Sequence, residues 1–373
     1  MSGSDTNTNS SGSFKCTFAD GPASSTVSAQ ATDSDSAAGN TATQTVTVAN
    51  VAPTAALGNN GPVDEGSAVN VSFSDQFDPS AGDTAAGFHY AYACDNSSLS
   101  SATYAGSGTA ASKSCTFGDN GSKTVRARII DRNGGYTEHH TIVTVRNVDP
   151  TRSNASFTFD PVFGTATAGF DFSDVGWLDT HGPSLSFFTW SDVGNRFASV
   201  TEENIAPDAT GHASDVRTLN PGCYNLTVTG TAKDDDGGMS ASLAIYSNSA
   251  ASVYGRGIRP PIMDNERNIA KYGNVVPVKV VLTNTCTGAT VTNVPLYITL
   301  HQGSGGEVIE DTNLIAESVS SADTGSQMRT ADGMYIFNLS TKSLAQNMDY
   351  TIRIRPNSTT APWILQAVLQ PKK

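Results

Sequence analysis

The chain has 373 residues, room for two to four small domains, and a net charge of -13 from 35 acidic and 22 basic residues. The acidity is confined to residues 1–250, with 26 acidic against 11 basic and a net of -15, whereas residues 251–373 carry 9 against 11 and a net of +2. Such a field excludes nucleic acid and anionic membrane as partners of the first part, and no run of about 18 apolar residues exists to form a membrane span.

Gly, Ser, Thr, Asn and Val dominate, and no window sustains helical spacing of apolar residues, so the expected class is all-β. Residues 1–13 are polar, without a basic start or an apolar stretch, and read as a flexible leader, not a signal peptide. Residues 14–50 match the second half of a later unit. Cys16-Thr17-Phe18-Ala19-Asp20 parallels Cys115-Thr116-Phe117-Gly118-Asp119, and 45–50 parallels 142–147. Half a sandwich leaves open strand edges, so this segment is expected either to be cut from a longer chain or to be completed by a neighbouring copy.

The unit at 51–148 opens with Val51-Ala52-Pro53-Thr54, continues through the alternating Val69, Val71 and Phe73, and then enters a polar loop carrying Asp75, Asp78 and Asp83. An aromatic strand follows at 88–92. Strands at 124–130 and 137–146 then meet at Asp131-Arg132-Asn133-Gly134-Gly135. Asn147-Val148-Asp149-Pro150-Thr151 repeats Asn50-Val51-Ala52-Pro53-Thr54 and marks a junction, because a proline cannot donate to a ladder. The unit at 149–250 keeps the layout, from Phe170 and Phe172 through 187–192 to the Asp234-Asp235-Asp236-Gly237-Gly238 turn and the alternating Met239, Ala241, Leu243 and Ile245. In three places a strand runs into an aspartate turn, at Asp33, Asp131 and Asp234, spaced by 98 and 103 residues. Residues 251–373 break this repeat, with Val276, Val278, Val280 and Leu282 alternating around Pro277-Val278-Lys279-Val280 and strands expected at 335–339, 350–355 and 363–369.

The Ser-x-Asp loops (Ser74-Asp75, Ser173-Asp174), the Leu178-Asp179-Thr180-His181 run and the Asp-Gly-Gly turns together resemble the polycystic-kidney-disease (PKD) domain. That domain is an immunoglobulin-like β-sandwich common in bacterial surface and secreted proteins. Trp190-Ser191-Asp192-Val193-Gly194 keeps a trace of the family's Trp-Asp-Phe-Gly-Asp-Gly stretch. The last segment resembles a β domain that often follows PKD repeats in bacterial exoproteins and carries a Pro-x-Lys-Phe motif, with Val280 where Phe is usual. The resemblance implies tandem immunoglobulin-like sandwiches followed by a distinct C-terminal sandwich.

Cys94 and Cys115 lie 21 residues apart in one unit and are expected to pair, which suits an exported protein. Cys16 is the equivalent of Cys115, and the same spacing places its partner before residue 1. Cys223 and Cys286 match neither register; they either bridge the third and last units or stay reduced. The acidic turns can be read as ordinary solvated turns or as a calcium site, with Asp75, Asp78 and Asp83, or Asp234, Asp235 and Asp236, supplying carboxylates. No other cofactor is expected. His139 and His140 are adjacent on a strand and so face opposite sides, which argues against a shared metal. Trp190 reads as a core residue, and Trp177 and Trp363 lie in other contexts.

No nucleophile elbow, zinc helix, phosphate loop or dinucleotide fingerprint occurs, and no enzyme is expected. The expected function is a non-catalytic extracellular protein, secreted or on the cell surface. It is a structural or adhesive semi-rigid string of sandwiches that spaces, displays or adheres and meets protein or glycan partners through its end loops. Two alternatives stand beside it: the substrate-engaging region of a secreted hydrolase, and a subunit of a filament or virion appendage that self-assembles through residues 14–50.

Overall fold

The computed structural model describes residues 13–174, 185–264, 266–305, 308–309, 318 and 325–373. They divide into two compact units, Met1–Val148 and Asp149–Lys373. Leu178 to His181, and Trp177, lie outside the described residues.

In the first unit a hairpin of β1 (Ala23–Ala29) and β2 (Ala42–Val48) precedes a sandwich. Its strands are β3 (Thr54–Asn59), β4 (Val63–Asp64), β5 (Ala68–Phe77), β6 (His89–Ala93), β7 (Ser112–Thr116), β8 (Gly121–Ile130) and β9 (Tyr136–Arg146), with a helix α1 (Ala81–Ala86) between β5 and β6. One sheet has the order β3-β5-β7 and the other β4-β9-β8-β6, with β4 parallel to β9. The alternation along β5 and β8 explains the packing. Val69, Val71 and Phe73 meet Val125, Ala127 and Ile129 between the sheets, and all six are buried. Helix α1 departs from the all-strand expectation. The serine of Ser80-Ala81-Gly82-Asp83 accepts the N–H of Asp83 at 3.1 Å, an N-cap that nucleates one short turn where the residues were too few to show a period.

The second unit holds two sandwiches. The first comprises β10 (Thr151–Asp160), β11 (Thr165–Ser173), β12 (Leu185–Asp192), β13 (Val200–Ile205), β14 (His212–Thr218), β15 (Gly222–Lys233) and β16 (Leu243–Val253), in sheets β10-β11-β14 and β13-β12-β15-β16. Phe170, Phe188, Trp190, Leu226 and Val228 fill it. Trp190 is fully buried and its Nε1 donates to Asp215 Oδ2 at 2.6 Å, so the polar end of the ring is satisfied. Tyr224 donates its hydroxyl to the carbonyl of Asn220 at 2.6 Å, the corner contact that pins the start of this strand in immunoglobulin-like sandwiches. Met239 is exposed, and β16 begins only at Leu243.

The last sandwich comprises β17 (Gly255–Arg259), β18 (Arg267–Lys271), β19 (Val275–Thr283), β20 (Thr290–Val291), β21 (Leu296–Gln302), β22 (Arg329–Ala331), β23 (Met334–Ser340), β24 (Tyr350–Pro356) and β25 (Leu365–Lys372). Its sheets run β17-β19-β23-β22, with β20 on β19, and β18-β25-β24-β21, with β18 parallel to β25. Val276, Val278, Val280 and Leu282 all point inward, and Val280 fills the core position. Pro277 lies beyond the β17 ladder, which covers Lys279 to Thr283, and stands opposite Asn338 on the β23 side.

These two sandwiches share interior. Val162, from the turn after β10, is buried in the core of the last sandwich, and its carbonyl accepts from Arg256 Nη1 at 2.7 Å. Cys223 and Cys286 form a disulfide with Cα atoms 4.7 Å apart. In the first unit Cys94 and Cys115 are bonded across 5.8 Å, and Cys16 is an exposed free thiol.

The two bridges close loops of 63 and 21 residues. Chain entropy then gives about 4 kcal/mol for the longer and about 3 kcal/mol for the shorter. Replacing Cys223 and Cys286 by Ala should therefore destabilise the second unit in urea by about 4 kcal/mol, more than Cys94→Ala with Cys115→Ala costs the first; the reverse order would refute the loop-length account.

Candidate functional site

All three marker aspartates close their hairpins in the same way. Asp33, Asp131 and Asp234 each donate a backbone N–H to the carbonyl four residues on, at 3.0, 2.9 and 3.1 Å. The N–H of that same residue (Ala37, Gly135 or Gly238) returns to the aspartate Oδ1 at 2.8, 2.8 and 2.6 Å. This closure is turn chemistry. Around Asp131 further acidic side chains gather.

Asp78 and Asp83 are brought to the β8–β9 hairpin by two local devices. Asp78 Oδ1 accepts the N–H of Ser80 at 2.7 Å, turning the chain after β5, and the Ser80 cap then starts α1 with Asp83 in its first turn. Asp78, Asp83 and Asp131 are all buried, and an oxygen of each lies within 4.8 Å of the others. Asp20, which precedes β1, joins from the side. Its Oδ1 accepts from Ser80 Oγ at 2.9 Å and Asn133 Nδ2 at 3.1 Å, and its Oδ2 pairs with Arg132 Nη2. Arg132 Nε also faces Asp83 Oδ1 at 3.1 Å. Asn50 Nδ2 donates to Asp131 Oδ2 at 2.8 Å. Residue 135 must be glycine for that contact, because a Cβ there would collide with both Asn50 Nδ2 and Asp131 Oδ2.

Several acceptors in this pocket have no donor. Asp78 Oδ2, Asp83 Oδ2 and Asn50 Oδ1 are buried and accept no hydrogen bond. Burial pushes the Asp83 carboxyl above the usual carboxylate range, and the charges of Asp20, Asp131 and Asp78 add to it. The hydrogen bond from Arg132 holds Asp20 below that range.

The other acidic residues do not join them. Asp75 is exposed, with a positive φ of 54°, and its Oδ2 takes the Ser74 hydroxyl at 3.1 Å. Asp234 is occupied in its own hairpin, Asp235 is half-buried and Asp236 is exposed. Asp131 was legible as a turn residue, and Asn50 and Asp20 as parts of repeats; their convergence was not. The Ser-x-x-Asp pattern at 80–83 was the one local signal for it.

Two further clusters bear on chemistry. His139 is half-buried with its ring edge-on to Phe73 at 5.6 Å, while His140 is exposed on the other side of β9. On the outer face of the β10-β11-β14 sheet, His212 Nδ1 lies 2.8 Å from Asp171 Oδ1, and a Cβ at Gly169 would stand 2.8 Å from His212 Nε2 and 2.9 Å from Ser156 Oγ. Serine, histidine and aspartate therefore neighbour one another, yet the two ionisable groups are more than a third exposed and no serine–histidine hydrogen bond forms among the described residues. A triad needs that bond and an oxyanion donor set around a cleft.

No protein-family model and no curated protein matches the chain. Among solved structures, the chain is similar to a tetra-tandem repeat from the extending region of a large adhesion protein, at 20% identity and TM-score 0.34, over 93% of this chain and 81% of that one. It is also similar to the FN1–FN3 domains of chicken CNTN1, at 12% identity and TM-score 0.25, over 85% and 98%. A third likeness is to three N-terminal domains of the bacteriophage RB49 Highly Immunogenic Outer Capsid protein, at 10% identity and TM-score 0.24, over 86% and 100%. Superpositions this loose carry no argument about role.

The crowding around Asp83 has a measurable consequence. A carboxyl with a raised folded-state pKa holds its proton more tightly folded than unfolded, so stability falls as pH rises from the ordinary aspartate value, near pH 4, through the raised one. In chelator, Asp83→Asn should melt a few degrees above wild type at neutral pH, and the gap should close as the pH is lowered towards 4. A gap independent of pH would show that Asp83 is not the titrating group.

Proposed function

We propose that this chain is a non-catalytic extracellular protein whose tandem sandwiches space or display, and whose end loops make protein or glycan contacts. One observation carries the reading: the residues that recur between units are those that build a sandwich. Asp33, Asp131 and Asp234 close hairpins, and the alternating apolar residues of β5, β8 and β15 fill cores. A recurring module whose shared residues all serve its own folding suits a structural element, with variation left to the loops. The two disulfides fit an oxidising compartment, secreted or cell-surface. The PKD resemblance and that of the C-terminal domain to Pro-x-Lys-Phe modules belong to this same reading.

A second reading, assembly through residues 14–50, is favoured by one feature. Among the described residues β1 and β2 pair only with each other, so both outer edges of this two-stranded sheet are open to a further strand. Concentration-dependent oligomers on a sizing column, abolished by Val46→Lys in β2, would favour it over the free chain.

The spacer reading is tested by stretching single full chains from their ends. Reductant should lengthen the released contour by about 70 Å and about 220 Å, as the loops of 21 and 63 residues become extensible at about 3.5 Å per residue. Hydrolysis of 4-nitrophenyl acetate by the chain, lost on His212→Ala, would overturn the non-catalytic reading.

A further inference from the structure

We propose that the pocket of Asp78, Asp83 and Asp131 binds Ca2+, with the side-chain oxygen of Asn50 as a further ligand, and that the ion ties the segment after β2 to the first sandwich. This goes beyond the spacer reading and does not depend on it.

The geometry suits such an ion as it stands. Two ligands on opposite sides of Ca2+ at about 2.4 Å lie about 4.8 Å apart. The three carboxylates already have oxygens within 4.8 Å of one another, so one ion can reach all of them without backbone movement. Mg2+ at about 2.1 Å would demand a tighter and more regular shell. Every candidate ligand atom, on Asp78, Asp83, Asp131 and Asn50, is an oxygen, which selects a hard cation over zinc.

A second observation, the hydrogen-bond state of these buried atoms, also points to a ligand. Asp78 Oδ2, Asp83 Oδ2 and Asn50 Oδ1 are buried acceptors with no hydrogen-bond donor, and Asp83 is wholly shielded from solvent. Buried acceptors are normally satisfied. A cation satisfies acceptors without supplying a proton. The charge balance agrees: among the described residues, Asp78, Asp83 and Asp131 gather with Asp20 beside them, and Arg132 pairs with Asp20 and Asp83 alone of the four. Arg132 is already shared between Asp20 and Asp83, and Asp78 and Asp131 are left with neutral donors, Ser80 N–H, Gly135 N–H and Asn50 Nδ2. Asp33 makes the same hairpin closure while exposed, so turn formation does not require the cluster.

Asn50 and Asp20 make the site a clasp. Asn50 follows β2 and Asp20 precedes β1, and both meet groups of the β8–β9 hairpin, 81 and 112 residues away along the chain for Asp131 and Arg132 respectively. An ion held by Asp131 and Asn50 therefore links residues that belong to different folding elements.

The test uses the full chain, stripped with EGTA and titrated with CaCl2 by calorimetry, with melting curves and amide exchange in parallel. Wild type should bind Ca2+, melt higher with it, and show slower exchange at residues 49–53. Asp83→Asn and Asp78→Asn should each weaken binding at least tenfold without lowering the melting temperature in EGTA, and Asp234→Asn should leave the affinity unchanged. A flat wild-type isotherm at millimolar CaCl2, equal binding of MgCl2, or unchanged affinity in both pocket variants would overturn the proposal. None of these readouts involves adhesion or tension, so failure here and failure of the spacer reading are separate results.

Discussion

Register is the constraint on which each sandwich depends, and a single aspartate helps to set it at the hairpins it closes. A strand shifted by one residue turns its whole buried face to solvent. In β8 that would expose Val125, Ala127 and Ile129, and in β15 Leu226 and Val228. Asp131 and Asp234 prevent the slip by fixing the turn that follows each of these strands with a backbone bond to the residue four on and a side-chain bond from that same residue. The same closure at Asp33 operates where, among the described residues, β1 and β2 pair only with each other, so it is a local device that forms without a sandwich around it.

The second unit shows what the shared plan permits. Its two sandwiches have the same two-sheet layout, but the turn after β10 sends Val162 into the neighbouring core, and Arg256 and the Cys223–Cys286 bridge fasten the same border. Burial holds the Arg256 guanidinium below its ordinary range, a cost that its bond to the Val162 carbonyl offsets. Interior shared across the border makes residues 149–373 one compact unit.

Period-two alternation was the most legible property of this chain, because each strand buries one face and a sandwich needs nothing subtler to place Val69, Val71, Val278 or Leu226. Cys94 and Cys115 were legible because they are close in sequence. Cys223 and Cys286 needed the 4.7 Å separation that only tertiary structure provides. Helix α1 escaped because six residues are too few for a helical period. The pocket was half legible: Asp78 and Asp83 stand close together in one acidic stretch of sequence, but Asp75, which the structure places in β5, is exposed, and Asp131 arrives from a hairpin read only as a turn. No pattern in a single strand or loop announces a contact made by residues 81 positions apart.

Asp131 joins these levels because its carboxylate has two oxygens with separate employment. Oδ1 is committed to the Gly135 N–H and so to the register of β8 and β9, while Oδ2 meets Asn50 beside Asp78 and Asp83. Gathering buried carboxylates is costly unless something compensates, and one shared arginine compensates for two of the four at most. The hairpin closure is also made at the exposed Asp33, so the crowding answers to a separate demand. Its position, where the chain leaving β2 meets the first sandwich, places that demand on the joining of two elements and not on the folding of either. The backbone is built to match: glycine at 135 leaves space that any side chain would deny to Asn50. A local turn thereby acquires a long-range partner without giving up the bond that makes it a turn.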